Sequence, residues 1–330
     1  MHLGSWVATL VFLPVFGLVM VIFDVAQRIA RLFGQRPQEY VAGALQWTLV
    51  RTFGICDTRL AVERSPDVLP WTSYIIVSNH QSMFDIPILG SLFFSNFPKY
   101  ISKRSLGRWI PSVSYNLRRG GHVLIDRSDA PAALEAIRAL GRRVRNGGVS
   151  AMIFPEGTRA RVGDLGPFKP AGTLALLEEA PHTPVVPVTI DNSWRLLQHN
   201  FFPVPWGVRV RVHIGAPIAR HASEDRAALM ARVRGDIADA LERWREESPA
   251  AACAARWECP SCPTSRYSSS RWHRASWASG WSGCASRARS CSAPSTRRWR
   301  NCSANACVGS AVSGSASSSH STAISSSSST

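Results

Sequence analysis

Lysine is almost absent from this 330-residue chain. Only Lys99, Lys103 and Lys169 occur, against 35 arginines, a bias that suggests a GC-rich coding sequence. Cysteine is equally scarce before residue 251, where Cys56 stands alone. That excludes a disulfide-stapled scaffold for this stretch and fits a reduced, cytosol-facing protein. No G-x-S-x-G stretch occurs, and Cys56 has no activating context, so the residues do not favour a covalent acyl-enzyme. Charge is missing altogether from Trp6 to Phe23. The last eighty residues lack nearly every core-forming side chain: of Leu, Ile, Val and Phe they hold only Val308, Val312 and Ile324, beside 25 serines and seven of the eight cysteines.

These absences divide the chain into three parts: residues 1–38 as a membrane-anchoring helical element, 39–250 as the working domain, and 251–330 as a tail. The tail cannot bury enough apolar surface to fold. Its wealth of Ser, Arg, Cys and Trp, without Leu, Lys or Asp, is what a GC-rich sequence read one base out of frame would yield; a genuine disordered tail is the competing explanation. Cys259 and Cys262 form a C-x-x-C pair with no second pair at zinc-ligand spacing, so no metal site is expected. The net charge of +16 suits anionic substrates or an anionic membrane surface, and equally a surplus of solvated arginines.

The uncharged run from Trp6 to Phe23 would span about 27 Å as a helix at ~1.5 Å per residue, borderline for crossing a bilayer. Its positive charges follow it, at Arg28, Arg31 and Arg36, which is unlike a signal peptide and favours keeping the domain on the cytoplasmic side. Pro14 and Gly17 offer an alternative, a broken, re-entrant element. "DVAQRIARLFGQRP" spaces Val25, Ile29 and Leu32 at helical intervals and reads as a second helix, lying in the membrane interface.

From residue 40 the chain alternates strands and helices. "RLAVER", "SYIIVS", "HVLIDR", "VSAMIF", "TPVVPVTI" and "VRVRVHIG" read as strands; "DIPILGSLFF", "PAALEAIRALGRRVRNGG", "GTLALLEEA" and the stretch from Ser223 to Glu247 read as helices. The expected fold is α/β: a single layered mixed sheet flanked by helices, with the N-terminal membrane-associated element before it. In such sheets ligands sit beyond the carboxyl ends of the strands. His80 and the "FPEGTRA" stretch, residues 154–160, each follow a strand, so parallel pairing would bring them to one rim. A histidine backed by a carboxylate is suited to taking a proton near neutral pH, and Asp85 lies within reach if the helix begins at about Gln81. A capping network of Asn79, His80 and Asp85 at a strand-to-helix turn fits the same spacing.

Four segments in order resemble the glycerolipid acyltransferases related to 1-acyl-sn-glycerol-3-phosphate acyltransferase. "NHQSMFD" resembles the family's N-H-x-x-x-x-D block, and "SKRSLGRWIPSVSYNLRRGGHVLIDR" its second block. "FPEGTR" resembles the third, and "PVVPVTI" the fourth. The resemblance implies that His80 is a general base for an acceptor hydroxyl and Asp85 its orienting partner. It implies that Glu156, Gly157, Thr158 and Arg159 bind the acceptor, with Arg159 on its phosphate, and that Lys103, Arg104 and Arg127 help hold anionic groups. No cofactor or metal is implied, acyl-CoA or acyl-ACP serving as co-substrate. The expected reaction puts an acyl chain on the sn-2 hydroxyl of lysophosphatidic acid, giving phosphatidic acid for phospholipid biosynthesis. The expected setting is among membrane lipids at the cytoplasmic face of the inner (plasma) membrane. His122, Leu124 and Ala160 depart from the family pattern where the acceptor is selected, which keeps another acceptor, such as a lysophospholipid or a lyso-ornithine lipid, in play. A catalytically silent membrane- or nucleic-acid-binding protein is the rival class, though no nucleic-acid partner is expected.

Overall fold

The computed structural model describes residues 3–247, apart from Arg161 and Glu224. The Ser-rich tail and its C-x-x-C pair lie outside the described residues. The alternation read from the sequence becomes one mixed sheet of seven strands: β1 (Arg59–Arg64), β2 (Ile75–Ser78), β3 (Pro98–Lys103), β4 (Val123–Ile125), β5 (Ser150–Ile153), β6 (Val185–Asp191) and β7 (Arg209–Ile214). The spatial order is β1-β7-β6-β2-β5-β3-β4. From β6 through β4 neighbouring strands run parallel, whereas β7 lies antiparallel on β6 and carries β1 parallel to itself.

Strand β2 occupies the middle and is buried along its whole length, which is why it reads as an unbroken apolar run rather than an alternating one. Successive side chains still point to opposite faces. Ile76 packs with Phe84, Leu89, Val186 and Val212 on one face, while Ile75 and Val77 pack with Leu140, Leu176, Val233 and Ile237 on the other. The second layer is covered by α5 (Ala130–Arg145), α6 (Pro170–Glu179) and α7 (Arg226–Glu246). Asp129 caps α5 through the Ala132 N–H, and Asp225 caps α7 through the Ala227 N–H. The first layer meets α3 (Asp85–Leu92) and the N-terminal helices α1 (Leu3–Leu32) and α2 (Gln35–Thr52); a short α4 (Val113–Arg119) precedes β4.

Beyond β3 (Pro98–Lys103) and the short α4, which the sequence reading did not single out, three features differ from the sequence expectations. The break at Pro14 and Gly17 does not occur, and the apolar run and the following amphipathic stretch form one helix of 30 residues. An inner stripe fastens it to the domain: Phe12 packs on Phe53 at 5.1 Å between ring centroids, Thr9 Oγ1 accepts from the Val204 N–H, and Gln27 bonds Ser112. These contacts hold the helix on both sides of the proline, which outweighs the one backbone bond Pro14 removes. Second, α2 was not legible as a helix, and it runs across residue 38. Third, α3 begins at Asp85 rather than near Gln81, because residues 80–84 form the turn whose N–H groups the Asp85 carboxylate collects.

Candidate active site

Strands β2 and β5 are parallel neighbours, with Val77 opposite Ile153. The turn after β2 and the loop after β5 therefore leave the sheet side by side. They are joined by backbone and side-chain bonds. The Ala160 N–H donates to the His80 carbonyl at 2.7 Å, and Glu156 Oε1 accepts from the His80 N–H at 2.8 Å. Glu156 Oε2 accepts from the Gly166 N–H at 3.0 Å, so this one carboxylate ties the loop both to its own return and to the histidine. Burial raises the Glu156 pKa against the pull of those two N–H donors.

Asp85 is fully buried. Its Oδ2 lies 2.8 Å from His80 Nδ1 and accepts the N–H groups of Gln81 at 2.7 Å and Ser82 at 2.8 Å. The capping network and the histidine–carboxylate pair, which the spacing left as alternatives, are thus one structure. The carboxylate is held by the turn it caps, and that turn delivers it to the imidazole. With Nδ1 committed to Asp85, Nε2 is the nitrogen left to take a proton, and the His80 side chain is 16% exposed. Phe154 stacks on the ring at 4.2 Å between centroids and 21° between planes, fixing its tilt.

The remaining sequence candidates lie along the same carboxyl rim. Gly157 turns the loop with φ +67°, a conformation that L side chains rarely adopt. Thr158 and Arg159 follow it and are exposed. Lys103 ends β3, and Arg127 follows β4 after Asp126; both are exposed, as is Arg104. Because β3 and β4 lie beyond β5, these cations stand farther from His80 than the β5 loop does, by one to two strand spacings of ~4.8 Å. Asp126 stands among them. The Ser128 hydroxyl and N–H hold its carboxyl below the usual range, and the charges of Arg104 and Lys103 add to this. Those two cations therefore already have a partial counter-ion.

Sequence reasoning gave Asn79 only a capping role and assigned none to Ser193, Lys169 and Phe154. Asn79 clamps strand β6, its Nδ2 donating to the Ile190 carbonyl and its Oδ1 accepting the Ile190 N–H, each at 2.8 Å. Ser193 donates its hydroxyl to Asp85 Oδ1 at 2.5 Å. Lys169 stretches its side chain beside Gly157, and Phe154 supplies the stacking face. Phe154 and Asn79 are the first residues of the quoted motifs, whereas nothing short-range points to Ser193. Of the departures from the family pattern, His122 has a structural role. Its Nδ1 accepts the Tyr100 N–H at 3.0 Å and its ring stacks on Tyr100. Burial and the Lys99 and Arg143 charges hold its pKa well below the ordinary histidine value, so it stays neutral. Burial likewise pushes the Cys56 thiol up to about 11, which keeps it from serving as a thiolate. Among the described residues no group of three or more His, Cys, Asp or Glu side chains is placed to hold a metal ion.

Comparison with known proteins bears on the fold and the family. Residues 60–191 match the model of the acyltransferase family. A 1-acyl-sn-glycerol-3-phosphate acyltransferase from Cocos nucifera is 32% identical over 139 residues, 42% of this chain and 44% of the relative. One from Saccharomyces cerevisiae is 29% identical over 173 residues, 51% of this chain and 55% of the relative. The chain thus spans about half the length of these curated relatives. The crystal structure of the 1-acyl-sn-glycerophosphate (LPA) acyltransferase PlsC from Thermotoga maritima superposes with a TM-score of 0.61 at 23% identity, covering 73% of this chain and 96% of that one. Residues 60–191, from β1 to the end of β6, are thus the stretch similar to the acyltransferase family, and the chain shares the fold of the Thermotoga maritima structure.

Proposed function

We propose that the chain transfers an acyl group from acyl-CoA or acyl-ACP to the sn-2 hydroxyl of lysophosphatidic acid, giving phosphatidic acid. The observation that carries this reading is the His80 Nδ1–Asp85 Oδ2 contact of 2.8 Å on the rim shared with the β5 loop, which leaves Nε2 to act. His80 Nε2 takes the proton of the acceptor hydroxyl as its oxygen attacks the thioester carbonyl carbon. Asp85 fixes the tautomer and stabilises the imidazolium that forms. The C–S bond breaks as the tetrahedral intermediate collapses, and the imidazolium returns its proton to the departing thiolate. The chemistry is complete without a cofactor.

In the same proposal, exposed Arg159 pairs with the acceptor phosphate by a two-pronged, charge-assisted contact. Gly157 and Thr158 shape the loop that offers it, and Glu156 holds the loop against His80. Lys103, Arg104 and Arg127 act farther out, on anionic headgroups or the donor's phosphates. In this reading residues 1–38 are the anchor, 39–250 the acyltransferase domain and 251–330 a tail. Helix α1 is apolar and long enough to cross a bilayer. Because its inner stripe is fastened to the domain, it lies along the membrane surface instead, with Leu10, Leu18, Ile22 and Ile29 outward. The arginines after it favour the cytoplasmic face.

The test is a purified, detergent-solubilised chain offered lysophosphatidic acid, lysophosphatidylcholine, lysophosphatidylethanolamine and a lyso-ornithine lipid, each with acyl-CoA and with acyl-ACP. Product formation should be fastest with lysophosphatidic acid. Preference for any other acceptor in the panel would overturn the assignment of the acceptor, and no transfer to any acceptor would overturn the reaction.

A further inference from the structure

We propose that Ser193 is a positioning residue for the His80–Asp85 pair, acting through the carboxylate oxygen that the histidine does not use. The proposal rests on the reading of His80 as the base. Oδ2 of Asp85 is shared by His80 Nδ1 and two backbone N–H groups, while Oδ1 receives the Ser193 hydroxyl at 2.5 Å. Both side chains are fully buried, so water cannot replace that donor. With donors on both oxygens, the carboxylate is fixed against rotation about its own axis, and the oxygen facing the imidazole keeps its direction.

The delivery of Ser193 is as specific as the contact. Strand β6 runs parallel to β2, and the Asn79 side chain grips both the N–H and the carbonyl of Ile190, holding the end of β6 against the turn that bears His80. Two residues later Asn192 adopts a left-handed conformation, φ +64°, which asparagine tolerates better than most residues. This reverses the chain and presents Ser193, 108 residues from Asp85 in sequence, to Oδ1. Ser193 opens a short 3₁₀ turn, yet its hydroxyl bonds Asp85 instead of capping that turn. It also lies two residues past the stretch that matches the acyltransferase family model.

The hydroxyl has an electrostatic effect as well. A donor on Oδ1 draws charge from the carboxylate and moderates its pull on the imidazolium proton. Glu156 is a further charged group against the pair, bonded to the His80 N–H. Removing the Ser193 hydroxyl therefore makes Asp85 the stronger base, raises the His80 pKa and frees the carboxylate to turn.

The experiment compares full-length wild type, Ser193→Ala and Ser193→Thr in detergent. One arm titrates histidine-labelled protein by NMR, with the His80 resonance assigned by its loss in His80→Ala; the other measures kcat and KM for lysophosphatidic acid. Ser193→Ala should show a raised His80 pKa, a matching upward shift of the acid limb of the kcat/KM profile, and an unchanged KM. Its kcat should fall about 10- to 100-fold, by analogy with the loss when a partner that orients a metal-bound histidine is removed. Ser193→Thr, which keeps the hydroxyl, should restore the titration and most of the rate. An unshifted His80 titration in Ser193→Ala overturns the proposal whether or not kcat falls, because a purely structural loss would leave the pKa where it was. The titration needs no turnover, so wild type that acylates nothing would sink the reaction, while the NMR arm still decides whether Ser193 holds the pair.

Discussion

Two buried polar clusters use the same kinds of groups to different ends. At the carboxyl rim, Asp85 gathers a histidine, two backbone N–H groups and a serine hydroxyl, and the ring it holds uses only Nδ1 for this. Near the start of β3, Lys99 Nζ meets Glu39 Oε1 at 2.6 Å, with side chains only 3% and 5% exposed. Gln35 and Arg36 add further bonds to Glu39, and His122 and Tyr100 close the neighbouring space. Burial lowers the Lys99 pKa against the attraction of Glu39; burial also works to raise the Glu39 pKa, but Lys99, Gln35 and Arg36 together bring it down. Burial of charge is therefore no guide to reactivity in this molecule. The rim cluster is set apart by one atom left free on a group whose other atoms are all satisfied.

The contrast breaks first at Asp85. Asp85→Asn should cost about 10²–10⁴ in kcat, because an amide presents N–H donors to groups that need an acceptor and cannot stabilise the imidazolium. Thermal unfolding monitored alongside should show the fold intact. At the other cluster the loss should be in stability. Lys99→Met leaves the buried Glu39 carboxylate with only the half-exposed Arg36 guanidinium as a charged partner and should destabilise the fold by up to about 3–5 kcal/mol, measured by denaturant titration, while molecules that remain folded keep their turnover. The pH dependence of Tm sharpens the point. In wild type the lowered Glu39 pKa gives a contribution that is present above the ordinary glutamate value of 4.5 and is lost as pH falls through the folded value. In Lys99→Met the Glu39 pKa should rise above 4.5, so acidification should help the variant where it harms wild type. The smallest effect is expected at exposed Arg159. Arg159→Ala should lower kcat/KM for lysophosphatidic acid about 10- to 100-fold, the scale of a lost charge-assisted hydrogen bond, and Arg159→Lys should recover part of it. Unchanged kinetics in the alanine variant would remove Arg159 from the acceptor site.

The two clusters were unequally visible in the sequence. His80 and Asp85 lie five residues apart at the end of a fully apolar strand, so local spacing was enough to suggest their pairing, and parallel β2 and β5 brought the "FPEGTRA" loop beside them. Ser193 reaches Asp85 only because β6 is the other neighbour of β2, and strand order is not written in any short stretch. Lys99, Glu39 and His122 come from three separate segments, and each alone resembles a solvated polar residue. Helix α2 was missed because its buried face is mixed, with Gln38 and Glu39 inside beside Leu45 and Leu49, which blunts the apolar periodicity that a sequence reading depends on. The continuity of α1 through Pro14 was hidden for a related reason: the contacts that hold it come from Phe53, Ser112 and Val204, far along the chain.

The central claim is that His80 is the base of an acyl transfer, and the most direct test is single-turnover acylation of lysophosphatidic acid by His80→Ala in parallel with wild type. The expected result is a rate lower by at least the ~10²–10⁴ typical of general-base catalysis, with unchanged unfolding and membrane binding. Near-normal acyl transfer by a folded His80→Ala protein would contradict it.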